Sequence, residues 1–139
     1  MFMKDIFKLL RVKQWIKNFF VFGPIIFSKH LFDVQYVNAS FLAFLSFCFL
    51  SSTIYIINDI IDIESDKLHP IKRNRPIPSK RISIPVAIII AIILLLIVIF
   101  INVFLDQYFQ LVSVSYFILN ILYTFWFKHI VILDVFSIA

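Results

Sequence analysis

Glycine is almost absent: Gly23 is the only one in 139 residues. Glycine-rich phosphate loops and dinucleotide fingerprints need several glycines where backbone closes on phosphate, so both are excluded. Cysteine is equally scarce. The lone Cys48 rules out an intrachain disulfide framework and a cysteine-based zinc site. Its place inside an apolar run marks it as a small buried hydrophobe. Charge is scarce too. Only 15% of residues are charged and 62% are hydrophobic, whereas a soluble domain is about a quarter charged and half apolar. That balance excludes a soluble globular domain, and it excludes disorder, whose signature is low hydrophobicity.

What remains is a set of long apolar runs. A bilayer crossing needs about 20 mostly apolar residues. Four stretches qualify: Trp15 to Phe32, Val37 to Ile57, Ile84 to Leu105 and Tyr108 to Phe127. The first, interrupted by Lys17, Asn18 and Pro24, is the weakest, and it lacks the small-x-small site of a cleavable signal peptide. From about Ile130 to Ala139 the chain is apolar again but too short to cross, so it reads as the start of a fifth span in a truncated chain. The expected fold class is therefore all-α, a polytopic transmembrane helical bundle. Residues 1–139 form the N-terminal part of one membrane domain.

The net charge of +5 matters through its distribution. Twelve of the 13 Lys and Arg precede or open the first span, sit between spans two and three, or follow span four, and only Lys29 lies on the other side. The positive-inside rule then puts the N-terminus and the middle loop in the cytoplasm, in a multi-pass protein of the cell membrane. Ahead of the first span, Phe2, Ile6, Leu9 and Leu10 recur at helical spacing with Lys4, Lys8 and Arg11 between them, which predicts a short interfacial helix.

Polarity within the spans is uneven. Span three carries only Asn102 and is assigned no chemistry. On span two, Cys48, Ser52, Tyr55, Asp59, Asp62 and Asp66 fall within about 80° of helical arc. On span four, Ser113, Tyr116, Asn120, Tyr123 and Thr124 fall within about 100°. The two stripes imply either a shared wet cavity or interhelical hydrogen bonding by small polar side chains.

The acidic end of the first stripe is the sharper signal. Three carboxylates on one face repel one another, and more strongly near a low-dielectric boundary, so they require cations. Oxygen-only ligands favour Mg²⁺, which usually takes one or two carboxylates plus substrate phosphate oxygens. Glu64 lies about 140° from Asp59 and is left outside the site as a solvated charge. The bland alternative is a charged helix end at the interface. The following loop, His69 to Arg81, is basic and holds three prolines, so it is extended or turned. Lys72, Arg73 and Arg75 suit a substrate phosphate. Lys80 and Arg81 read instead as topology signals or binders of anionic lipid. With no exposed aromatic platform beside the basic residues, nucleic acid is not an expected partner.

These residues resemble a family. Asn58-Asp59-x-x-Asp62-x-x-x-Asp66, closing a span, is similar to the first aspartate-rich motif of the UbiA superfamily of intramembrane prenyltransferases, and Arg75-Pro76-Ile77 resembles its basic loop. Tyr123 and Lys128 fall where that family has a Tyr…Lys pair. A narrower match is to the decaprenyl-phosphate phosphoribosyltransferase branch. Arg11-Val-Lys-Gln14-Trp15-Ile-Lys17-Asn18 resembles its opening motif, and His69-Pro70-Ile-Lys72-Arg73-Asn-Arg75-Pro76-Ile77 its loop. Val12 stands where that branch has Pro, and Lys80 where a small residue, often Gly, is usual.

The resemblance implies a UbiA-like bundle of about nine helices with a second aspartate motif in its latter half, so that this fragment alone is inactive. It implies Mg²⁺ held by Asp59, Asp62 and Asp66, with Asp59 and Asp62 catalytic. It implies transfer of 5-phosphoribose from phosphoribosyl pyrophosphate to a polyprenyl phosphate. Lys72, Arg73 and Arg75 would clamp the donor's 5-phosphate or pyrophosphate, Lys17, Asn18 and Lys128 would hold the acceptor head group, and Asn58 and Tyr123 are further substrate-binding candidates. The alternatives are an aromatic or quinone-precursor prenyltransferase using a prenyl diphosphate and, in another class, a divalent-cation carrier.

Overall fold

A computed structural model of the chain describes residues 2–126. Lys128, His129, the last residue of the expected fourth span and the expected start of a fifth span lie outside the described residues. The described elements are α1 (Phe2–Leu9), a 3₁₀ segment (Val12–Phe22), α2 (Gly23–Phe27), α3 (Val34–Ile61), α4 (Ile63–Leu68), a 3₁₀ turn (Lys72–Asn74), α5 (Ile84–Asn102) and α6 (Gln107–Phe125). The described residues are helical or turned, as the expected all-α class requires. Three helices, α3, α5 and α6, are long and apolar enough to cross a membrane.

The long helices begin where side chains satisfy their first free N–H groups. Asp33 caps α3 by accepting from the Gln35 N–H at 3.1 Å, and Asp106 caps α6 by accepting from the Phe109 N–H at 2.8 Å. Helix α5 starts after Ser83 with a proline in its first turn, where a missing N–H costs nothing. Helix α3 is the centre: α1, the 3₁₀ segment, α2, α5 and α6 all pack on it. Its 28 residues span roughly 42 Å, longer than the ~30 Å hydrocarbon layer, so one end must project into the interface.

Helix α5 explains its own packing. Its buried residues, Ala87, Ala91, Leu94, Val98 and Ile101, step by four and three along one seam. The two alanines let its backbone approach α3, while Ile89, Ile92, Leu96 and Phe100 remain exposed on the opposite side, as a lipid-facing surface requires. The cluster around Ile56, Ala87, Ala91 and Leu94 also takes in Leu9 of α1 and Ile77 and Ile82 of the basic loop. The loop is thereby tied to the bundle.

The expected first span, Trp15 to Phe32, departs from the α-helical expectation. The 3₁₀ segment Val12–Phe22 carries it, followed by the short α2. Pro24, which has no N–H to donate, sits in the first turn of α2 and marks the change of helix type. With three residues per turn, Trp15 and Asn18 share one face, and Phe22 follows one turn and one residue further on. These residues meet α3: Trp15 Nε1 donates to Ser52 Oγ at 3.0 Å, Asn18 Nδ2 lies 3.5 Å from both Cys48 Sγ and Ser51 Oγ, and Phe22 packs on Phe44. At ~2.0 Å per residue these 11 residues rise roughly 22 Å, about three-quarters of the ~30 Å hydrocarbon layer.

The two polar stripes act mainly as helix–helix glue. Asn102, expected to carry nothing, is a junction: Ser46 Oγ donates to its Oδ1 at 2.9 Å and its Nδ2 donates to Ser113 Oγ at 3.1 Å. This ties α3, α5 and α6 together at one end. At the other end, the Thr124 hydroxyl lies 2.6 Å from Asn58 Oδ1 and 2.8 Å from the Asn120 carbonyl, joining α6 to α3.

Lys80 has φ 60°, a left-handed backbone that a Cβ disfavours. This is the position where glycine would be the natural choice. Lys80→Gly should therefore be neutral or stabilising by up to about 1 kcal/mol, and Lys80→Val destabilising by about 1–2 kcal/mol, in denaturant titration of the solubilised protein. A stabilising valine would contradict the reading.

Candidate active site at the end of α3

Asp59 lies within one turn of the end of α3, and Asp66 lies in α4 after a break at Asp62. The break is a local turn: Asp62 has φ −89° and ψ 10°, its N–H donates to the Asn58 carbonyl at 2.9 Å, and its own carbonyl accepts from the Asp66 N–H at 2.8 Å. Ser65 Oγ donates to the same carbonyl at 2.9 Å. The helix restarts with its axis reset, yet Asp59 and Asp66 still meet.

They meet on Arg75. Its Nη1 donates to Asp59 Oδ1 at 3.1 Å and to Asp66 Oδ2 at 2.7 Å. Arg11 Nη2 donates to the same Asp59 oxygen at 2.6 Å, and its guanidinium lies 4.4 Å from the centre of the Tyr55 ring. Lys72 Nζ stands 3.9 Å from Asp66 Oδ1. Both carboxylates are almost fully buried, at 2% and 1% exposure. Carboxylates so deeply desolvated survive only with paired cations, and guanidinium forks supply them here. The sequence requirement for neutralising cations is met in this structure by Arg11 and Arg75.

The expected site residues are placed as follows. Asn58 is held by Thr124, itself 1% exposed. Arg75, expected on a substrate phosphate, instead bridges the two aspartates. Arg73 is exposed, and its side chain has no partner among the described residues. Tyr123 is half-buried on α6, beside Thr124. Lys17 is exposed on the 3₁₀ segment, whereas Asn18 is buried against α3. Glu64 is exposed and pairs with Lys67 at 2.7 Å, away from the bridge. Arg81, read as a topology or lipid residue, pairs its Nη1 with the buried Asp5 at 3.1 Å and also donates to the Asn74 carbonyl, so it fastens the loop to α1.

Arg11 is the functional residue that sequence reasoning missed. It contacts Asp59 across 48 positions, and no spacing rule reaches that far. The available signals were a buried acid lacking a local cation and an arginine at the head of the Arg11-to-Asn18 motif.

The donor set suits a hard divalent cation. Among the described residues no group of three His, Cys, Asp or Glu side chains converges on a metal position. Asp59 and Asp66 nevertheless present oxygens to one shared point, now held by the Arg75 nitrogen. Two carboxylates of that kind fit a Mg²⁺ that keeps waters and completes its shell with phosphate oxygens.

The sequence profile of the UbiA prenyltransferase family matches residues 19–139. The chain belongs to this family. It is 32% identical over 132 residues to the decaprenyl-phosphate phosphoribosyltransferase of Mycolicibacterium smegmatis, a match covering 92% of this chain and 42% of that protein. It is 42% identical over 72 residues to the enzyme of the same name from Corynebacterium glutamicum, covering 50% of this chain and 22% of that protein. It is also 35% identical over 132 residues to the uncharacterized protein y4nM of Sinorhizobium fredii, covering 95% of this chain and 26% of that protein. The chain thus spans less than half the length of these relatives. This family member is a membrane protein whose acidic motif lies at the end of the longest apolar helix among the described residues.

Proposed function

We propose that this UbiA-family chain carries the donor-binding half of a Mg²⁺-dependent transferase that moves 5-phosphoribose from phosphoribosyl pyrophosphate to a polyprenyl phosphate. The observation that carries the reading is the buried Asp59–Arg75–Asp66 bridge at the end of α3, with Lys72 beside it and the exposed Arg73 on the same loop. Two of the relatives are named for this reaction, which supports the choice within the family.

In the proposed reaction a phosphate oxygen of the acceptor forms a bond to the anomeric carbon of the donor, and the bond from that carbon to pyrophosphate breaks. Asp59 and Asp66 would hold the Mg²⁺, with Asp62 beside them, and the ion when bound supplies Lewis-acid neutralisation of the leaving pyrophosphate. Arg73 and Lys72 bind phosphate oxygens of the donor, where preorganised cations count for most. Arg75, drawn between the two aspartates, keeps them in place and turns a cation toward the donor. The Thr124 hydroxyl fixes Asn58 next to Asp59. A phosphate acceptor is already anionic and needs no strong general base. Lys17 and Lys128 remain the proposed holders of the acceptor head group, while Asn18 acts by fixing the 3₁₀ segment to α3.

The site is proposed to face the cytoplasm of the cell membrane, on the strength of the lysine and arginine distribution. Cysteines placed at Gln35 and Asn74, both exposed, should label from outside intact cells at the first position and be spared at the second. The reverse pattern would overturn the orientation.

The functional test is Arg73→Ala in the full-length membrane enzyme. Losing one charge-assisted hydrogen bond should raise KM for phosphoribosyl pyrophosphate roughly ten- to a hundredfold, about 1.5–3 kcal/mol, and leave the KM for polyprenyl phosphate nearly unchanged. An effect confined to the lipid acceptor would require the two phosphate sites to be exchanged.

A further inference from the structure

A second site lies where α1 turns into the 3₁₀ segment. A cavity of about 510 Å³ opens there, lined by Phe7, Lys8, Arg11, Val12, Lys13 and Gln14. Three of the six are cations and none is acidic. The one carboxylate of α1, Asp5, is 4% exposed and committed to Arg81, so it does not offset them. The turn that shapes the cavity is centred on Arg11, which holds φ 51° and ψ 44°. A residue with a Cβ adopts that conformation at a cost, and such strain persists where surrounding contacts enforce it. Here the enforcing contacts are the Asp59 carboxylate and the Tyr55 ring.

The surroundings identify the phase from which a ligand comes. On one flank α1 leaves Phe2, Met3 and Phe7 more than half exposed; on the other the 3₁₀ segment leaves Ile16, Phe19 and Phe20 more than half exposed. A cationic hollow set between exposed apolar side chains at the head of a membrane segment suits an amphiphile, with an anionic head in the hollow and a tail against the phenylalanines. Its charge selects the head. Asp59 neutralises part of Arg11, leaving an excess near two positive charges from Lys8, Lys13 and the remainder of Arg11. A phosphate monoester carries about −1.5 to −2 at neutral pH, whereas a phosphodiester head carries a single charge.

We infer that this cavity is a docking subsite for the phosphate monoester head of a polyprenyl lipid. The inference rests on the proposed acceptor for the identity of the tail and deepens that reading by placing the first contact of its head group. The geometry also supplies a path. In a 3₁₀ segment residues three apart eclipse, so Gln14 of the cavity and Lys17, the proposed acceptor ligand, stand on one column. Arg11 is shared: its Nη2 is on Asp59, and the same residue lines the cavity, so a phosphate bound there lies one residue away from the candidate active site.

The test is binding without donor, so that it stands apart from the identity of the reaction. The full-length protein in phosphatidylcholine nanodiscs is photo-labelled with a diazirine analogue of geranylgeranyl monophosphate, and the adducts are mapped by mass spectrometry. Label within Phe7–Gln14 is expected, displaced by unlabelled geranylgeranyl monophosphate. Lys8→Gln with Lys13→Gln, both exposed positions, should weaken displacement about tenfold, whereas Lys29→Gln should not. Label found only elsewhere would overturn the proposal. Equal displacement by geranylgeraniol would show that phosphate is not recognised, by phosphatidylglycerol that the cavity holds bulk anionic lipid, and by inorganic phosphate that the tail plays no part; each also overturns it. If labelling succeeds and phosphoribosyl transfer is absent, the reaction assignment fails and the subsite stands.

Discussion

Asp59→Asn in the full-length enzyme is expected to lower the transfer rate by about a thousandfold, while Glu64→Gln retains it. The two carboxylates are five residues apart, and their surroundings differ completely. Asp59 is 2% exposed, meets two guanidinium groups, and shares Arg75 with Asp66. Glu64 points to solvent and holds Lys67. Removing the charge at Asp59 takes away a proposed metal oxygen and leaves Arg11 and Arg75 facing a neutral amide. Loss of about 4 kcal/mol of transition-state stabilisation corresponds to that thousandfold factor. Steady-state rates of both variants, with membrane insertion checked, give the result. Equal losses at Glu64 and Asp59 would show that the shared face has been misassigned.

Arg75→Met is expected to destabilise the fold by about 3 kcal/mol in denaturant titration. Breaking a buried ion pair by removing one partner strands the other in a low-dielectric site. Here two carboxylates are stranded, though Arg11 and Lys72 remain to compensate, which keeps the effect at the lower end of the usual range. Lys72 is the control. It lies 3.9 Å from Asp66 with its side chain 46% exposed, so Lys72→Met should cost under about 1 kcal/mol. Since the Arg75 nitrogen lies at the point that both carboxylates address, added Mg²⁺, taking its place between them, should restore part of the stability of Arg75→Met. Destabilisation by Lys72→Met as large as that by Arg75→Met would contradict the bridge.

Much of this fold is written in hydropathy. The expected spans over 37–57, 84–105 and 108–127 correspond to α3, α5 and α6, because an uninterrupted apolar run in a bilayer has no alternative to a helix that satisfies its own backbone. Their N-terminal ends shift by up to three residues where Asp33 and Asp106 supply caps that hydropathy does not register. The segment after Arg11 was less legible. Its inward residues, Trp15, Asn18 and Phe22, are spaced by three and four, as an α-helix would space them, while the backbone there is 3₁₀ and Arg11 turns left-handed at its head. Side-chain spacing therefore did not reveal the change of helix type.

The site was legible in part for a similar reason. Asp59 and Asp66 are separated by two helical turns, so spacing alone put them on one face, and they converge even though the helix breaks at Asp62. The identity of their cations was not local. Arg75 reaches back across a proline-bounded loop, and Arg11 across most of the first and second segments. Arg75 looked like a phosphate ligand because sequence shows a basic residue's charge but not the buried acid that claims it. The stripe residue Ser113 behaved likewise: it joins Asn102 and Ser46 in one hydrogen-bonded junction, where the pattern also allowed a wet cavity.

The central claim is that the Asp59–Arg75–Asp66 site, with its basic loop, serves a phosphoribosyl donor. The most direct measurement gives the reconstituted full-length protein, with Mg²⁺, two substrate pairs in parallel: phosphoribosyl pyrophosphate with a polyprenyl phosphate, and a prenyl diphosphate with an aromatic acid. Products are identified by mass spectrometry. The account predicts a polyprenyl phosphoribosyl phosphate from the first pair, lost in Asp59→Asn, and no prenylated aromatic from the second. A prenylated aromatic together with an untouched phosphoribosyl donor would contradict it.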